Sequence, residues 1–138
     1  MQFHIEQPYI GGKKSLDKEL KELTSLLGDT YLCLNDSKWL VMDSTPIIDE
    51  EDEDSEVGYN SKGRFVGFKL HLSCDEHLVP LRAEFTKANI HDVTVSESLL
   101  SPVKYGSADS AYDCKNLKLT AWQVHGVMLG TGQSKKIR

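Results

Sequence analysis

Residues 39–46 read Trp-Leu-Val-Met-Asp-Ser-Thr-Pro, an apolar run that stops abruptly on an acid. Four large apolar side chains in succession suit a buried strand, and that strand delivers Asp43 at its end. A second stretch repeats the device: Val103 to Ala108 reads as a strand and terminates in Asp109. If the two strands lie side by side and parallel, both carboxylates emerge at the same sheet edge. Open α/β folds place their sites at such edges.

Working outward, residues 64–72 alternate, with Val66, Phe68, Leu70 and Leu72 on one face, and Val79, Leu81, Ala83 and Phe85 alternate in the same way. The polar turn Cys74-Asp75-Glu76-His77 between them predicts an antiparallel hairpin. Thr94 and Glu97 have capping-box spacing, so a short helix is expected from there to Pro102. Asp113 is placed to cap a helix over residues 114–123, and Val127-Met128-Leu129 reads as a last short strand. Toward the N-terminus, residues 15–27 predict an amphipathic helix with Ser15 as N-cap. Leu16, Leu20, Leu23, Leu26 and Leu27 share its face and Gly28 ends it. The stretch from Gln2 to Lys14, with Pro8 and Gly11-Gly12, is expected to be irregular. An antiparallel pair followed by a βαβ-like pattern gives a mixed α/β sheet flanked by helices. The chain divides into an N-terminal segment, 1–37, and a main domain, 38–138.

At 138 residues and 39% hydrophobic there is material for one hydrophobic core. No apolar run nears the roughly 18 residues of a membrane span. Cys33, Cys74 and Cys114 are odd in number and widely spaced, which argues against a disulfide framework and suits a reducing cytoplasm. The net charge of −5 conceals a division, because residues 49–56 supply seven acidic groups. Those charges predict an exposed, poorly ordered loop over 49–60. Residues 57–138 carry eleven Lys and Arg against seven Asp and Glu, a weakly polyanion-compatible balance.

Two carboxylates at neighbouring strand ends repel unless a cation joins them, and Mg²⁺ suits an all-oxygen site. Paired ions can activate an attacking oxygen and stabilise a leaving one in phosphoryl transfer. An Asp after a strand is, however, most often a turn or cap residue, so geometry alone leaves the site open. Four segments narrow it. Residues 41–46 (VMDSTP), 62–72 (KGRFVGFKLHL), 86–92 (TKANIHD) and 108–113 (ADSAYD) follow one another. In that order they resemble the successive signatures of bacterial insertion-sequence DDE transposases over roughly residues 38–132.

The resemblance implies a ribonuclease-H-like fold with Asp43 and Asp109 as the first two catalytic, metal-binding acids. It further implies two Mg²⁺ or Mn²⁺ ions, and DNA, both transposon ends and target, as substrate, with other transposase subunits as possible partners. It departs from the family in one respect: the glutamate motif expected on a later helix does not occur, and Asp113 is the only acid after Asp109. The chain is therefore expected to be truncated, with a sheet incomplete at the C-terminus and no activity of its own. Two alternatives stay open. One is a non-catalytic fragment that binds DNA or transposase. The other is a different ribonuclease-H-like nuclease whose site Asp113 completes.

Lys62, Arg64 and Lys69 are candidate phosphate contacts, against a solvated hairpin edge. His91, Asp92 and Tyr112 are candidates to support the acids from behind, against local capping and packing. His71, Cys74 and His77 have zinc-like spacing but offer three ligands in one hairpin with no fourth. Lys135, Lys136 and Arg138 form a basic end that could track DNA or simply fray.

Overall fold

The computed structural model describes residues 12–132. The segment 2–11, the side chains of Ser15 and Leu16, and the basic end at 135–138 lie outside the described residues. The first helix, α1, is Gly12–Leu34. Strands β1 (Trp39–Ile48), β2 (Glu56–Asn60), β3 (Gly63–Asp75) and β4 (Pro80–Lys87) follow. A short helix α2 (Asp92–Val95) runs into a 3-10 turn, Ser96–Leu99. Then come β5 (Tyr105–Ala108), a second 3-10 turn (Ser110–Tyr112), α3 (Lys115–His125) and β6 (Met128–Thr131).

The six strands form one mixed sheet in the order β2-β3-β1-β5-β6, with β4 also paired to β3. β3 is antiparallel to β1, β2 and β4, whereas β5 is parallel to β1 and to β6. This mixed α/β sheet with flanking helices is consistent with the ribonuclease-H-like arrangement. The apolar core lies between β1, β5 and β6 on one side and α3 with the short helices on the other. Leu40, Met42, Leu99, Leu100, Val103, Ala108, Leu117, Ala121, Val127 and Leu129 fill it.

β1 continues five residues past Asp43, through a proline. That is tolerated because β5 pairs only as far as Met42, so Pro46 faces β3 alone and no ladder bond on its other side is lost. Gly67, at φ +150°, lets β3 cross beneath β1: a Cβ there would stand 2.0 Å from the Ile47 carbonyl oxygen.

Four sequence expectations are corrected. Helix α1 starts at Gly12, so residues 12–14 are helical rather than irregular and Ser15 lies within it, and it runs past Gly28, whose missing side chain lets it press on β4. A Cβ there would lie 2.4 Å from the Leu81 carbonyl oxygen. The docked face is polar: Asp17 accepts from the Phe85 N–H at 2.9 Å, Lys21 pairs with Glu84, and Asp29 pairs with Arg82 at 2.6 Å. The β4 edge thus gains one backbone partner and two side-chain ion pairs, and Leu23, Leu26 and Leu27 are left exposed. Second, α2 starts three residues early, with His91 rather than Thr94 as N-cap. Third, Asp113 does not cap α3: Cys114 holds that position, and the Asp113 carboxylate accepts from Lys118 at 2.6 Å and Thr131 at 2.9 Å. Fourth, the acidic stretch is exposed but organised. Asp49 accepts from the Asp52 N–H and Asp52 from the Asp54 N–H, as Asx turns do, and Asp54 reaches Lys87.

Candidate functional site

The β1–β5 ladder sets Leu40 beside Gly106, Val41 beside Ser107 and Met42 beside Ala108. Asp43 is the next residue of β1 and Asp109 the residue after β5, so the parallel pair brings both acids out where its ladder stops. Both side chains are exposed. Asp43 Oδ1 accepts the Ser44 N–H at 2.8 Å and Asp109 Oδ1 accepts the Ala111 N–H at 2.8 Å. The backbone thereby orients each carboxyl group. No donor among the described residues engages the second oxygen of either.

Both acids line one cleft of about 530 Å³. Ser44, Thr45 and Pro46 continue its floor along β1, and Lys69 and Asp92 form a side wall. The turn of the β2–β3 hairpin, Tyr59 to Lys62, closes the far end. Lys62 and Arg64 are exposed on this hairpin, as phosphate contacts require.

Asp92 is the hub of the wall. Its Oδ2 accepts from Ser44 Oγ at 2.9 Å, and its Oδ1 accepts from Lys69 Nζ at 3.0 Å. Lys69 also donates to the Ile90 carbonyl at 2.8 Å, and its side chain is only 13% exposed. The β1–β3 register explains the convergence, because Ser44 lies opposite His71 and Pro46 opposite Lys69 on one sheet face. Lys69 is thus committed to Asp92 rather than free at a surface, and its ammonium sits beside the cleft. His91, next in the chain, is exposed and its side chain makes no capping bond.

Tyr112 lies beneath the acids, fully buried, and its hydroxyl has no hydrogen-bond partner among the described residues. Burial pushes the phenol well above its ordinary range, and the charges of Asp92, Asp43 and Asp109 push it further. The nearby Ser44 hydroxyl opposes this weakly, its own proton being directed at Asp92. The phenol therefore stays protonated, packed in the core within the field of all three aspartates. His71 is likewise enclosed: Nε2 meets Thr86 Oγ1 at 2.8 Å, while Nδ1 is 3.8 Å from Asp92, too long for a hydrogen bond. Burial lowers its pKa, an effect that Asp92 opposes and Lys69 reinforces.

Sequence reading found the two acids and named Asp92, but it missed Ser44 and Tyr59 and assigned Lys69 to the outside. Ser44 carried a signal, since it follows Asp43 directly on the same strand. The zinc-spaced trio does not converge: His71 and Cys74 project from opposite faces of β3, and His77 is exposed. Asp113 does not line the cleft; its bonds to Lys118 and Thr131 hold its carboxyl below the usual range.

The donor chemistry fits a hydrated divalent ion as two of its ligands, because both acids line the same cleft and each has an oxygen that no donor among the described residues engages. Among the described residues no three His, Cys, Asp or Glu groups converge to hold a metal.

The sheet and the cleft make this an α/β domain with paired acids just past the ladder between two adjacent parallel strands. The chain belongs to the transposase DDE domain family, whose model matches residues 34–132. Members of that family generally work with divalent metal ions. Among solved structures, the chain is similar to a piggyBac transposase in a synaptic complex with hairpin DNA, at 12% identity and a TM-score of 0.49. That likeness covers 75% of this chain and 24% of the piggyBac chain. No curated protein matches. Among the described residues no helix is long and apolar enough to cross a membrane.

Proposed function

We propose that the cleft is the acidic part of a DNA-transposition site, in which Asp43 and Asp109 bind a divalent cation, Mg²⁺ or Mn²⁺, against a DNA phosphodiester. The register that puts Asp43 beside Asp109 at the mouth of one cleft carries this reading. A bound ion would supply Lewis-acid activation and neutralise charge on the phosphate. The protein's own part is to hold two carboxylates at fixed separation, each with one oxygen locked by a backbone N–H and one turned outward. Lys62 and Arg64 contact phosphates along the DNA backbone. Lys69 lends positive charge to the wall without leaving Asp92. Asp92 and Tyr112 support the floor, one by fixing Ser44 and the other by presenting a protonated hydroxyl beneath the acids.

Among the described residues no glutamate lines the cleft, Asp92 is engaged by Lys69 and Ser44, and Asp113 is held elsewhere. The 138-residue chain alone therefore binds divalent ions weakly, binds DNA, and does not cut it. The test is nicking of supercoiled plasmid in Mg²⁺ and in Mn²⁺, with Asp43→Ala and Asp113→Ala as controls, alongside a DNA-binding titration. DNA binding without nicking is expected. Cleavage that is lost in both Asp43→Ala and Asp113→Ala would mean that Asp113 completes the site, as in a self-sufficient nuclease.

A further inference from the structure

The β2–β3 hairpin carries, near the end of β2, an aromatic side chain that the metal-binding acids leave unused. Tyr59 is 72% exposed, yet it lines the same cleft as Asp43 and Asp109. It stands opposite Arg64 across the hairpin, and Lys62 follows in the two-residue turn. The hairpin is held in place. Lys62 N–H donates to Asn60 Oδ1 at 2.8 Å, and Gly58 sits against the Phe65 ring and Ala88. An exposed phenol ring flanked by two cations, on a fixed support at the rim of an acid-lined cleft, has the makings of a stacking platform. Every nucleobase offers a π-face to such a ring, and the cations hold the adjoining phosphates.

In a duplex the base faces are stacked on one another and closed to a side chain. A ring in a cleft meets them only where the strand is unpaired. We propose that Tyr59 is a base-stacking residue that takes an unpaired nucleotide of the DNA strand entering the cleft, with Lys62 and Arg64 on its flanking phosphates. The cleft volume, about 530 Å³, is that of a small-ligand pocket. The proposal rests on the reading of this cleft as a DNA site and adds a preference for single-stranded over paired DNA.

The experiment uses the whole chain at low salt and three fluorescent probes: a blunt duplex, the same duplex with a 3′ single-stranded extension, and the single strand. 2-Aminopurine at the first unpaired position reports stacking directly. Wild type should bind the extended probe more tightly than the blunt one and quench the 2-aminopurine. Tyr59→Ala should weaken binding to the extended probe about tenfold and abolish the quench, with the blunt duplex nearly unaffected. Tyr59→Phe should keep both signals, because stacking needs the ring and not the hydroxyl. Lys62→Ala should weaken all three probes alike and flatten the salt dependence. Wild-type affinity and quench in Tyr59→Ala would overturn the platform and leave the DNA site standing, as would equal loss in Tyr59→Phe. Failure of the wild type to bind any probe would overturn both.

Discussion

The sheet carries acids at two places along β1, and the protein treats them differently. At the start of β1, Asp75 is fully buried and saturated: Ser37 Oγ donates at 2.8 Å, and the N–H groups of His77 and Val79 donate at 2.9 Å each. Burial opposes its ionisation, but these donors and the Tyr31 hydroxyl outweigh that and hold its carboxyl below the usual range. Beside it, Glu76 accepts from the Lys38 and Trp39 N–H groups and so ties the entry of β1 to the β3–β4 turn. Where the β1–β5 ladder stops, Asp43 and Asp109 are exposed, and each takes one backbone N–H. A carboxylate whose lone pairs are filled by its own protein is a structural part. One that is oriented by a single bond and left half open in a cleft is available to a cation from outside.

That contrast can be broken by substitution. Asp75→Ala strands several donors in the interior and should cost on the order of 3 kcal/mol in chemical denaturation. Asp43→Ala and Asp109→Ala should leave the midpoint nearly unchanged, and a loss comparable to that of Asp75→Ala would erase the distinction. Asp92 sits between the two cases. Lys69→Met removes its charged partner from a poorly exposed wall and should cost about 2 kcal/mol, the range for a hydrogen bond to a charged group. If Lys69 instead served only as a free phosphate contact, stability would not move.

Acidity sharpens the same comparison. The folded pKa of His71 lies below its unfolded value, so its neutral, buried form favours folding above about pH 6.5. That contribution is lost as pH falls from there through the folded pKa, at no more than about 1.4 kcal/mol per pH unit. Asp75 has the usual carboxylate sense: its contribution is present above the unfolded pKa near 3.9 and is lost as pH falls toward its lower folded value. Denaturant midpoints between pH 8 and pH 4 should therefore fall first below about 6.5, and His71→Gln should remove that early step. The smallest effect expected is on Asp43→Ala and Asp109→Ala in the absence of metal, within about 0.5 kcal/mol as for ordinary surface positions.

Much of this was legible in the sequence. The abrupt ends of two apolar runs located Asp43 and Asp109, and alternation around a polar turn located the β3–β4 hairpin. What alternation hid was which face of β3 is more deeply enclosed. Leu70, Leu72 and Cys74 are half-buried, whereas His71, Ser73 and Asp75 on the other face are fully buried. For His71 and Asp75 the partners came from distant segments, Thr86 for one and Ser37 and Tyr31 for the other, whereas the buried Ser73 hydroxyl has none among the described residues. The leucines of α1 misled for the complementary reason. Their spacing marks an apolar stripe, but Gly28 and three side-chain ties to β4 chose a different face. Lys69 could not be placed without knowing that Asp92, 23 residues away, returns to meet it.

Paramagnetic broadening by substoichiometric Mn²⁺ in amide NMR spectra of this 15.5 kDa chain tests the central claim most directly. Mn²⁺ takes the same oxygen ligands as Mg²⁺ and reports even weak occupancy. The account predicts that the amides around Asp43 and Asp109 broaden together and that Asp43→Ala abolishes the effect at both. Broadening confined to the acidic turn at residues 49–56, or an effect around Asp109 that survives Asp43→Ala, would contradict a shared site.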